Sequence, residues 1–143
     1  MNLLAKKSKK IKLHSLNEAK TTYLIGTIYN DVREQYLKAQ GFKNLDPVNT
    51  DPQNALKLYQ ERIDLWIVPK QDAENVFQDL KIDPNLFESV YTVQEFELYM
   101  AFSKNTHYIL FDKWKKAFEE IKKDGTLDKI RKSYHLLTPS PSH

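Results

Sequence analysis

The sequence predicts an α/β domain whose central sheet is mostly parallel and flanked by helices. Short runs rich in β-branched and aromatic residues alternate with segments whose apolar residues recur at helical spacing. Helix-capping residues follow directly on several of these strand-like runs. Strands and helices that alternate in this way form parallel sheets covered on both faces. The chain has 143 residues, of which 41% are hydrophobic, and this is enough to bury one core of ordinary size.

The first strand and helix are expected between residues 15 and 41. Ser15 and Glu18 have the spacing of a capping box, which predicts a short helix, and the run 22–29 predicts a buried strand. Asp31 is the expected cap of a second helix that ends at Gly41. The apolar stripe expected on this helix consists of Val32, Tyr36 and Leu37.

The next segment repeats the same order of elements. Residues 45–48 predict a short strand, Thr50 or Asp51 caps the following helix, and Pro52 suits its first turn. The apolar stripe expected on this helix consists of Ala55, Leu56 and Tyr59. A further helix is expected at 71–80, and further strands are expected at 63–68, 87–93 and 95–103.

The last third of the chain has a helical pattern. One helix is expected to end at Gly125, and a second to begin with Thr126 as its cap. The apolar face of the first helix consists of Phe111, Trp114, Phe118 and Ile121, and that of the second of Leu127, Ile130 and Tyr134. Residues 138–143 contain two prolines and two serines and predict a disordered tail.

Composition and spacing give little support to catalysis or to metal binding. The chain has no cysteine, and its four histidines lack metal-ligand spacing. Three glycines exclude a glycine-rich phosphate loop, and the carboxylates suit helix caps and solvated helix faces. The net charge of +3 is too small to require a polyanionic partner. We therefore expect no catalytic residue, no metal, no cofactor and no nucleic acid.

The N-terminal segment carries a basic run between Lys6 and Lys12. This run predicts a solvated basic edge strand, with contact to phosphates as the alternative. The apolar stretch that precedes it is too short for a signal peptide. No apolar run approaches the roughly 20 residues that span a bilayer.

One edge of the predicted sheet is suited to a ligand. In an open α/β sheet the crevice lies beyond the carboxyl ends of the strands, where helix N-termini present unpaired N–H groups. The residues expected there are Tyr29, Asn30 and Asp31 after one strand, and Val68, Pro69 and Lys70 after another. For each residue, the alternative is a plain role as a turn or cap.

Four stretches, in this order, resemble the bacterial extracellular solute-binding proteins of the family 3 type, which serve amino-acid ABC transporters. They are Ser-Leu-Asn-Glu-Ala-Lys leading to Tyr-Leu-Ile-Gly-Thr (15–27), Glu-Arg-Ile-Asp-Leu-Trp (61–66), Leu-Tyr-Met-Ala-Phe-Ser-Lys (98–104), and Trp-Lys-Lys-Ala-Phe through Lys-Asp-Gly-Thr-Leu-Asp-Lys-Ile (114–130). The resemblance extends over about residues 10–135 and implies a type II periplasmic-binding-protein-like lobe with added C-terminal helices.

The family's pattern implies a two-lobed protein that closes on a small solute, with this chain as the second lobe and the C-terminal return. Residues 3–13 resemble the first strand that crosses between the lobes and 99–103 the second, while the first half of lobe one has no counterpart. The resemblance implies a crossing strand and hinge at 1–13, a lobe-two domain at 14–97, a return strand and helices at 98–137, and the tail at 138–143. A periplasmic or extracytoplasmic location and a membrane ABC permease as partner are also implied.

The resemblance also assigns individual positions. Asp31 and Val32 match the turn that offers hydroxyl and backbone N–H groups to the ligand carboxylate in amino-acid-binding relatives. An acidic side chain at this position would satisfy those N–H groups itself and repel a carboxylate. Pro69 stands where relatives have an aspartate for the ligand ammonium, and Glu61 replaces a usual glycine. The residues at the site, Asp31 and Pro69, both argue against a standard α-amino acid as the ligand. Asp64 is expected to be structural.

The leading hypothesis is reversible binding of a small polar solute, cationic or neutral, without catalysis. The expected ligand-binding residues are Tyr29, Asn30, Asp31, Val32, Pro69 and Lys70. The alternatives are a sensory or dimerising interaction module derived from a binding-protein domain, and an enzyme of the same fold. Because relatives cover the apolar face of the C-terminal helices, its exposure here predicts a homodimer or a domain swap.

Overall fold

The computed structural model describes residues 1–94 and 100–133. The chain divides into two compact units, Met1–Phe96 and Glu97–His143. The first unit contains one sheet with helices on both faces, and the second contains the C-terminal helices. Part of the strand expected at 95–103, together with Tyr134 and the tail expected at 138–143, lies outside the described residues.

The described residues form five strands and six α-helices. The strands are β1 (Asn2–Lys6), β2 (Ile25–Ile28), β3 (Leu45–Val48), β4 (Leu65–Val68) and β5 (Phe87–Thr92). The helices are α1 (Ala19–Thr22), α2 (Val32–Ala39), α3 (Asp51–Tyr59), α4 (Lys70–Asp79), α5 (Tyr108–Lys123) and α6 (Thr126–Ser133). This α/β arrangement confirms the predicted fold class.

The strand order in the sheet is β3-β2-β4-β1-β5. β2 pairs in parallel with both β3 and β4, whereas β1 runs antiparallel to its neighbours β4 and β5. The sheet is therefore mostly parallel, as predicted, with one antiparallel strand inserted near one edge. Because β2, β3 and β4 are parallel neighbours, their carboxyl ends meet at the same edge of the sheet.

Strand β4 is the centre of the core and is buried on both faces. Leu65 and Ile67 belong to an apolar cluster that includes Leu37 of α2. Trp66 and Val68 belong to a second cluster, which includes residues of α3 and α4. Successive side chains of a strand point to opposite faces, so the continuous apolar run of β4 fits a strand covered on both sides.

Helix α3 approaches β2 closely at Gly26. A Cβ atom added to this glycine would lie 2.5 Å from Oδ1 of Asn54 and 2.5 Å from Cδ1 of Ile63, which is far inside van der Waals contact. The side-chain amide of Asn54 donates a hydrogen bond of 2.9 Å to the backbone carbonyl of Thr27. The absence of a side chain at Gly26 thus allows α3 to be joined to β2 directly.

The predicted helix boundaries are largely confirmed. Asp31 caps α2, and Gly41, with a φ of +85°, follows its end. Thr50 is the N-cap of α3, with Pro52 in the first turn, as expected. Near Ser15 the chain first forms a short 3-10 helix at Leu16–Glu18 and only then α1, and the Glu18 carboxylate accepts the backbone N–H of His14 at 3.0 Å.

The prediction that residues 3–13 form one strand is wrong beyond Lys6, and so is the prediction of a basic edge strand. β1 lies between β4 and β5, with neighbours on both sides. It ends at Lys6 because a 3-10 turn follows at Lys7–Lys9, and Lys10 then takes a left-handed conformation with a φ of +51°. A left-handed residue interrupts the extended geometry that a strand requires.

The predicted apolar stripes are wrong in part. On α3, Ala55 is buried, but the neighbouring buried apolar residue is Leu58, while Leu56 and Tyr59 are exposed. On α2, Val32 is exposed because it is the first residue of the helix and lies at the edge of the sheet. The sequence pattern located both helices but misjudged which residues face the core.

The second unit contains α5 and α6, joined at Gly125 as predicted. The ring of Phe102 lies edge-on to Phe111, with centroids 5.4 Å apart. Residues 100–103 form no strand, so this described part of the expected second crossing strand is a wrong prediction. Met100 is exposed, and a strand forms only where its backbone groups find a partner strand. Within the described ranges, no helix is both long and apolar enough to cross a membrane.

The two leucines of α3 provide a test of how this helix faces the core. Leu58 is 1% exposed and Leu56 is 39% exposed. We expect Leu58→Ala to lower the free energy of unfolding by about 2–5 kcal/mol, because it leaves a cavity in the core. The matched Leu56→Ala change should cost under about 1 kcal/mol. Urea unfolding followed by circular dichroism measures both, and equal losses would contradict the orientation of α3.

Candidate functional site

The candidate site is the edge of the sheet where β2, β3 and β4 end, which we call the rim. Three turns form it, at residues 29–31, 49–50 and 69, and each leads into the N-terminus of a helix. The backbone N–H of Tyr29 donates to the carbonyl of Val48 at 3.0 Å, which ties the first turn to the end of β3. Helix N-termini that converge on one edge present partial positive charge and N–H donors there.

The turn between β2 and α2 is held by bonds within its own segment. Asn30 has a φ of +57°, a left-handed conformation that asparagine tolerates better than most residues. Its N–H donates to the Glu34 carboxylate, and its carbonyl accepts from the Gln35 side chain, both at 2.9 Å. The backbone shape of this turn is therefore determined before any ligand is present.

Asp31 behaves as the sequence predicts for a helix cap. Its carboxylate accepts the backbone N–H of Arg33 at 2.8 Å. One of the donors that a ligand carboxylate would need at the start of α2 is therefore already in use.

Arg33 connects the start of α2 to the start of α3. Its Nε lies 2.7 Å from the Asp31 carboxylate, and its Nη1 lies 3.2 Å from the Asp51 carboxylate. The Arg33 side chain is only 11% exposed, whereas each of the two carboxylates is about one quarter exposed. One guanidinium thus joins two carboxylates that would otherwise repel each other across the rim.

This ion-pair network shifts the pKa values of Asp31 and Arg33. Burial disfavours the charged form of Asp31, but the hydrogen bonds and charge of Arg33 outweigh burial and hold the pKa of the Asp31 carboxyl below its usual range. Burial likewise opposes the charge of Arg33, and Asp31 and Asp51 together raise its pKa above the usual value. Both shifts favour the charged forms of Asp31 and Arg33.

The turn between β3 and α3 forms the second part of the rim. The side-chain oxygen of Gln53 accepts the backbone N–H groups of Asn49 at 3.0 Å and Thr50 at 3.1 Å. This glutamine performs the reach-back half of a capping box. Asn49 and Thr50 are exposed, so their side chains face solvent at the rim.

The third part of the rim is the turn between β4 and α4. Pro69 is the N-cap of α4 and supplies no side-chain hydrogen bond to the helix. The ammonium of Lys70 lies 3.7 Å from the Glu74 carboxylate, one helical turn further on. Both Lys70 and Tyr29 are exposed, so an aromatic and a cationic side chain are available at adjacent strand ends.

The structure brings the sequence-predicted residues to one edge of the sheet. Tyr29, Asn30, Asp31 and Val32 follow β2, and Pro69 and Lys70 follow β4, which is the parallel neighbour of β2. Asp64, expected to be structural, lies at the opposite end of the sheet, where its carboxylate accepts the N–H of Leu24 at 2.9 Å.

Sequence reasoning missed the contribution of β3 to this edge. It identified the strand and its cap but assigned the rim to two strand ends only. Arg33 and Asp51, which form the ion-pair network, were not singled out as a pair. The signal that could have found them is an arginine two residues after one cap aspartate and a second aspartate at the start of the next helix.

Carboxylates outnumber cations at the rim. The charged residues from 29 to 33, 49 to 53 and 69 to 74 are Asp31, Arg33, Asp51, Lys70, Asp72 and Glu74. The excess of negative charge favours cations over anions in the adjacent solvent. Among residues 1–94 and 100–133, no group of three or more histidine or acidic side chains is arranged to hold a metal ion.

The fold and rim together define a lobe of the periplasmic-binding-protein type. The chain is similar to a histidine kinase sensor domain with similarity to periplasmic binding proteins (14% identity, TM-score 0.69), and it covers 60% of that structure with 96% of its own length. It is also similar to an ancestral arginine-binding protein bound to glutamine (26% identity, TM-score 0.65, 58% of that structure covered by 93% of this chain).

A third similar structure is the L-cystine solute receptor of Neisseria gonorrhoeae in its unliganded open conformation. It is 20% identical with a TM-score of 0.65, and 93% of this chain covers 54% of it. These structures confirm the predicted resemblance to solute-binding proteins. The chain spans less than two thirds of the length of each of the three. No protein-family model matches the sequence, and no curated protein matches it significantly.

The ion-pair network can be tested by removing its cation. We expect Arg33→Gln to lower the free energy of unfolding at pH 7 by about 1–2 kcal/mol, because two partly buried carboxylates lose their shared partner. The pKa of Asp31 is lowered in the folded state, so its contribution is present above its unfolded pKa and is lost as the pH falls through the folded one. The difference in the free energy of unfolding between wild type and Arg33→Gln should therefore become smaller as the pH falls.

Denaturant unfolding at several pH values between 2.5 and 7 measures this dependence. The exposed Lys43→Gln, which removes the same charge elsewhere in the first unit, is the control and should change stability little at any pH. A loss for Arg33→Gln that is equal at all pH values would show that the network does not act through charge.

Proposed function

We propose that this chain is a lobe of a solute-binding protein and that its rim contacts a small polar solute without covalent chemistry. The observation that carries the proposal is the meeting of three parallel strand ends, with the helix N-termini that follow them, at one edge of the sheet. This is the position at which open α/β sheets bind ligands. The similar solved structures, which include an arginine-binding protein and an L-cystine receptor, support the same reading.

The solute that best fits the rim is cationic or neutral. Asp31 already accepts the N–H of Arg33, so the start of α2 is poorly suited to a ligand carboxylate. The surplus of carboxylates at the rim would repel an anion and attract an ammonium or guanidinium group. A neutral solute rich in hydroxyl or amide groups would use the remaining lone pairs of the same carboxylates.

The proposed ligand-contacting residues have distinct roles. Tyr29, whose side chain is 56% exposed, offers an aromatic face to an apolar or cationic part of the solute. Asn30 and Asp31 offer hydrogen-bonding groups, and Val32 and Pro69 offer short apolar surfaces. Lys70 is exposed at the start of α4, where its ammonium would limit access of a second cation.

We further propose that a second lobe completes the site in the whole protein. A rim on one lobe contacts only one side of a solute, and solute-binding folds enclose the ligand by closing two lobes over it. An extracytoplasmic location and a membrane ABC permease as partner belong to this proposal and rest on the family resemblance. No catalytic residue is needed for any of these steps.

A sensory role is the second candidate. It is favoured by the similarity to the histidine kinase sensor domain, which has the highest TM-score of the three structures described above. In that role the same rim would bind the same class of solute, and the response would be signalling rather than transport. The two candidates differ in the partner of the lobe, not in the chemistry of the rim.

Solute binding at the rim can be measured by nuclear magnetic resonance titration of the full chain with arginine, putrescine and glutamine. We expect saturable amide shifts at residues 29–33 and at Lys70, because these groups surround the proposed site. Asp31→Asn keeps a good helix cap but removes the charge, so it should weaken binding of the cations by about fivefold, which corresponds to roughly 1 kcal/mol.

The matched control is Asp79→Asn, which removes the same charge at the far end of α4. It should leave affinity within about twofold of wild type. Shifts confined to other regions, or equal weakening by both variants, would contradict a site at the rim.

Self-association through the C-terminal helices stays a prediction. The exposed apolar side chains of α5 are Tyr108, Ile109, Leu110, Phe111, Trp114 and Phe118. If a second copy covers this surface, Trp114→Glu should shift light scattering of concentrated protein toward a monomer, because a charge would be buried in the contact. Lys113→Glu, on the same helix, is the control. A wild-type chain that is monomeric at high concentration would contradict the prediction.

A further inference from the structure

The lysines at the end of β1 and in the segment after it divide into two groups with different surroundings. Lys6 and Lys9 lie 2.9 Å and 3.1 Å from the two oxygens of the Glu61 carboxylate, and Lys6 also donates to the carbonyl of Tyr59. These two charges are compensated by an acid nearby. Lys7, Lys10 and Lys12 are exposed and take part in none of the ion pairs found among the described residues.

The segment from Lys10 to His14 is fixed to the first unit by alternate side chains. Ile11 and Leu13 are buried in the apolar cluster that contains β4, whereas Lys10, Lys12 and His14 are exposed. The exposure of Lys10, Lys12 and His14 places all three on the solvent side of a backbone that Ile11 and Leu13 hold against the core.

These residues line a cleft of about 480 Å³. Lys7 also lines it, together with Glu88, Ser89 and Val90 of β5, an edge strand of the sheet. The cleft lies at the end of the sheet where β4 begins, because β1 runs antiparallel to β4 and ends at Lys6. It is therefore at the opposite end of the sheet from the rim.

The acids near the cleft compensate only part of its positive charge. Glu61 is paired with Lys6 and Lys9, whereas Glu18 keeps its negative charge because its hydrogen-bond donors, the N–H of His14 and the hydroxyl of Ser15, are neutral. Glu88 is the single carboxylate among the lining residues, against three lysines. Lys10 also adopts a left-handed backbone conformation, which costs energy for a residue with a side chain.

We propose that this cleft is a second binding site that takes a small multivalent oxyanion, of the phosphate or diphosphate class. Three exposed lysines line a concave surface whose volume suits a small molecule, and lysine is a common point-charge partner of phosphate. No phenylalanine, tyrosine or tryptophan is among the described residues that line the cleft and could stack a nucleic-acid base. The site is independent of solute binding at the rim, because no residue is shared between them.

The test is an isotope-labelled titration of the full chain with pyrophosphate at low ionic strength. We expect saturable amide shifts at 7–14 and 88–90, with residues 29–33 unmoved. Lys10→Gln with Lys12→Gln should raise the dissociation constant at least tenfold. Glu88→Gln, which removes the opposing carboxylate, should lower it several-fold, an effect that damage to the fold would not produce.

The control is Lys43→Gln with Lys104→Gln, which removes two exposed lysines elsewhere and leaves the same net charge as the cleft variant. It should keep the dissociation constant within about twofold. Shifts spread over all lysines, equal weakening by both double variants, or binding that does not saturate would overturn the proposal. Binding to phosphatidylglycerol vesicles without saturable pyrophosphate binding would also overturn it and would identify a membrane-facing surface instead.

Discussion

The close approach of α3 to β2 at Gly26 is the constraint on which the candidate solute site depends. Only a residue without a Cβ leaves room for Asn54, whose amide binds the carbonyl of Thr27 and fixes α3 against the sheet. That contact sets the position of the first residue of α3, Asp51, at the end of the sheet. Asp51 is then close enough to share the Arg33 guanidinium with Asp31. The charge arrangement at the rim thus depends on packing in the interior of the lobe.

The N-terminal strand is as important to the core as the parallel strands are. β1 lies between β4 and β5, and its side chains alternate between the two apolar clusters, with Leu3 and Ala5 in one and Leu4 in the other. β1 thereby connects β5 to the parallel strands β3, β2 and β4, with which it forms one sheet. The same insertion directs the chain, after Lys6, to the end of the sheet opposite the rim. One topological feature therefore separates the acidic rim from the basic cleft.

Features that depend on neighbouring residues were predictable from the sequence, and features that depend on distant ones were not. The Asp31 cap and the stop at Gly41 follow from local backbone chemistry, and the parallel strands follow from continuous apolar runs. The pattern could not show that β1 is internal, because strand order is set by pairing between distant segments. It could not pair Arg33 with Asp51 for the same reason. It misjudged Leu56 because the buried side of a short helix is set by what packs against it.

Net charge is a poor guide to the partners of this protein. The chain carries only +3, which by itself does not require a polyanionic partner. The fold, however, collects carboxylates such as Asp31 and Asp51 at one end of the sheet and lysines at the other. Because electrostatic interactions are screened over about 8 Å in physiological salt, a charge near either end of the sheet responds mainly to the side chains closest to it. Under the proposals above, the two ends would therefore favour solutes of opposite charge although the net charge of the chain is small.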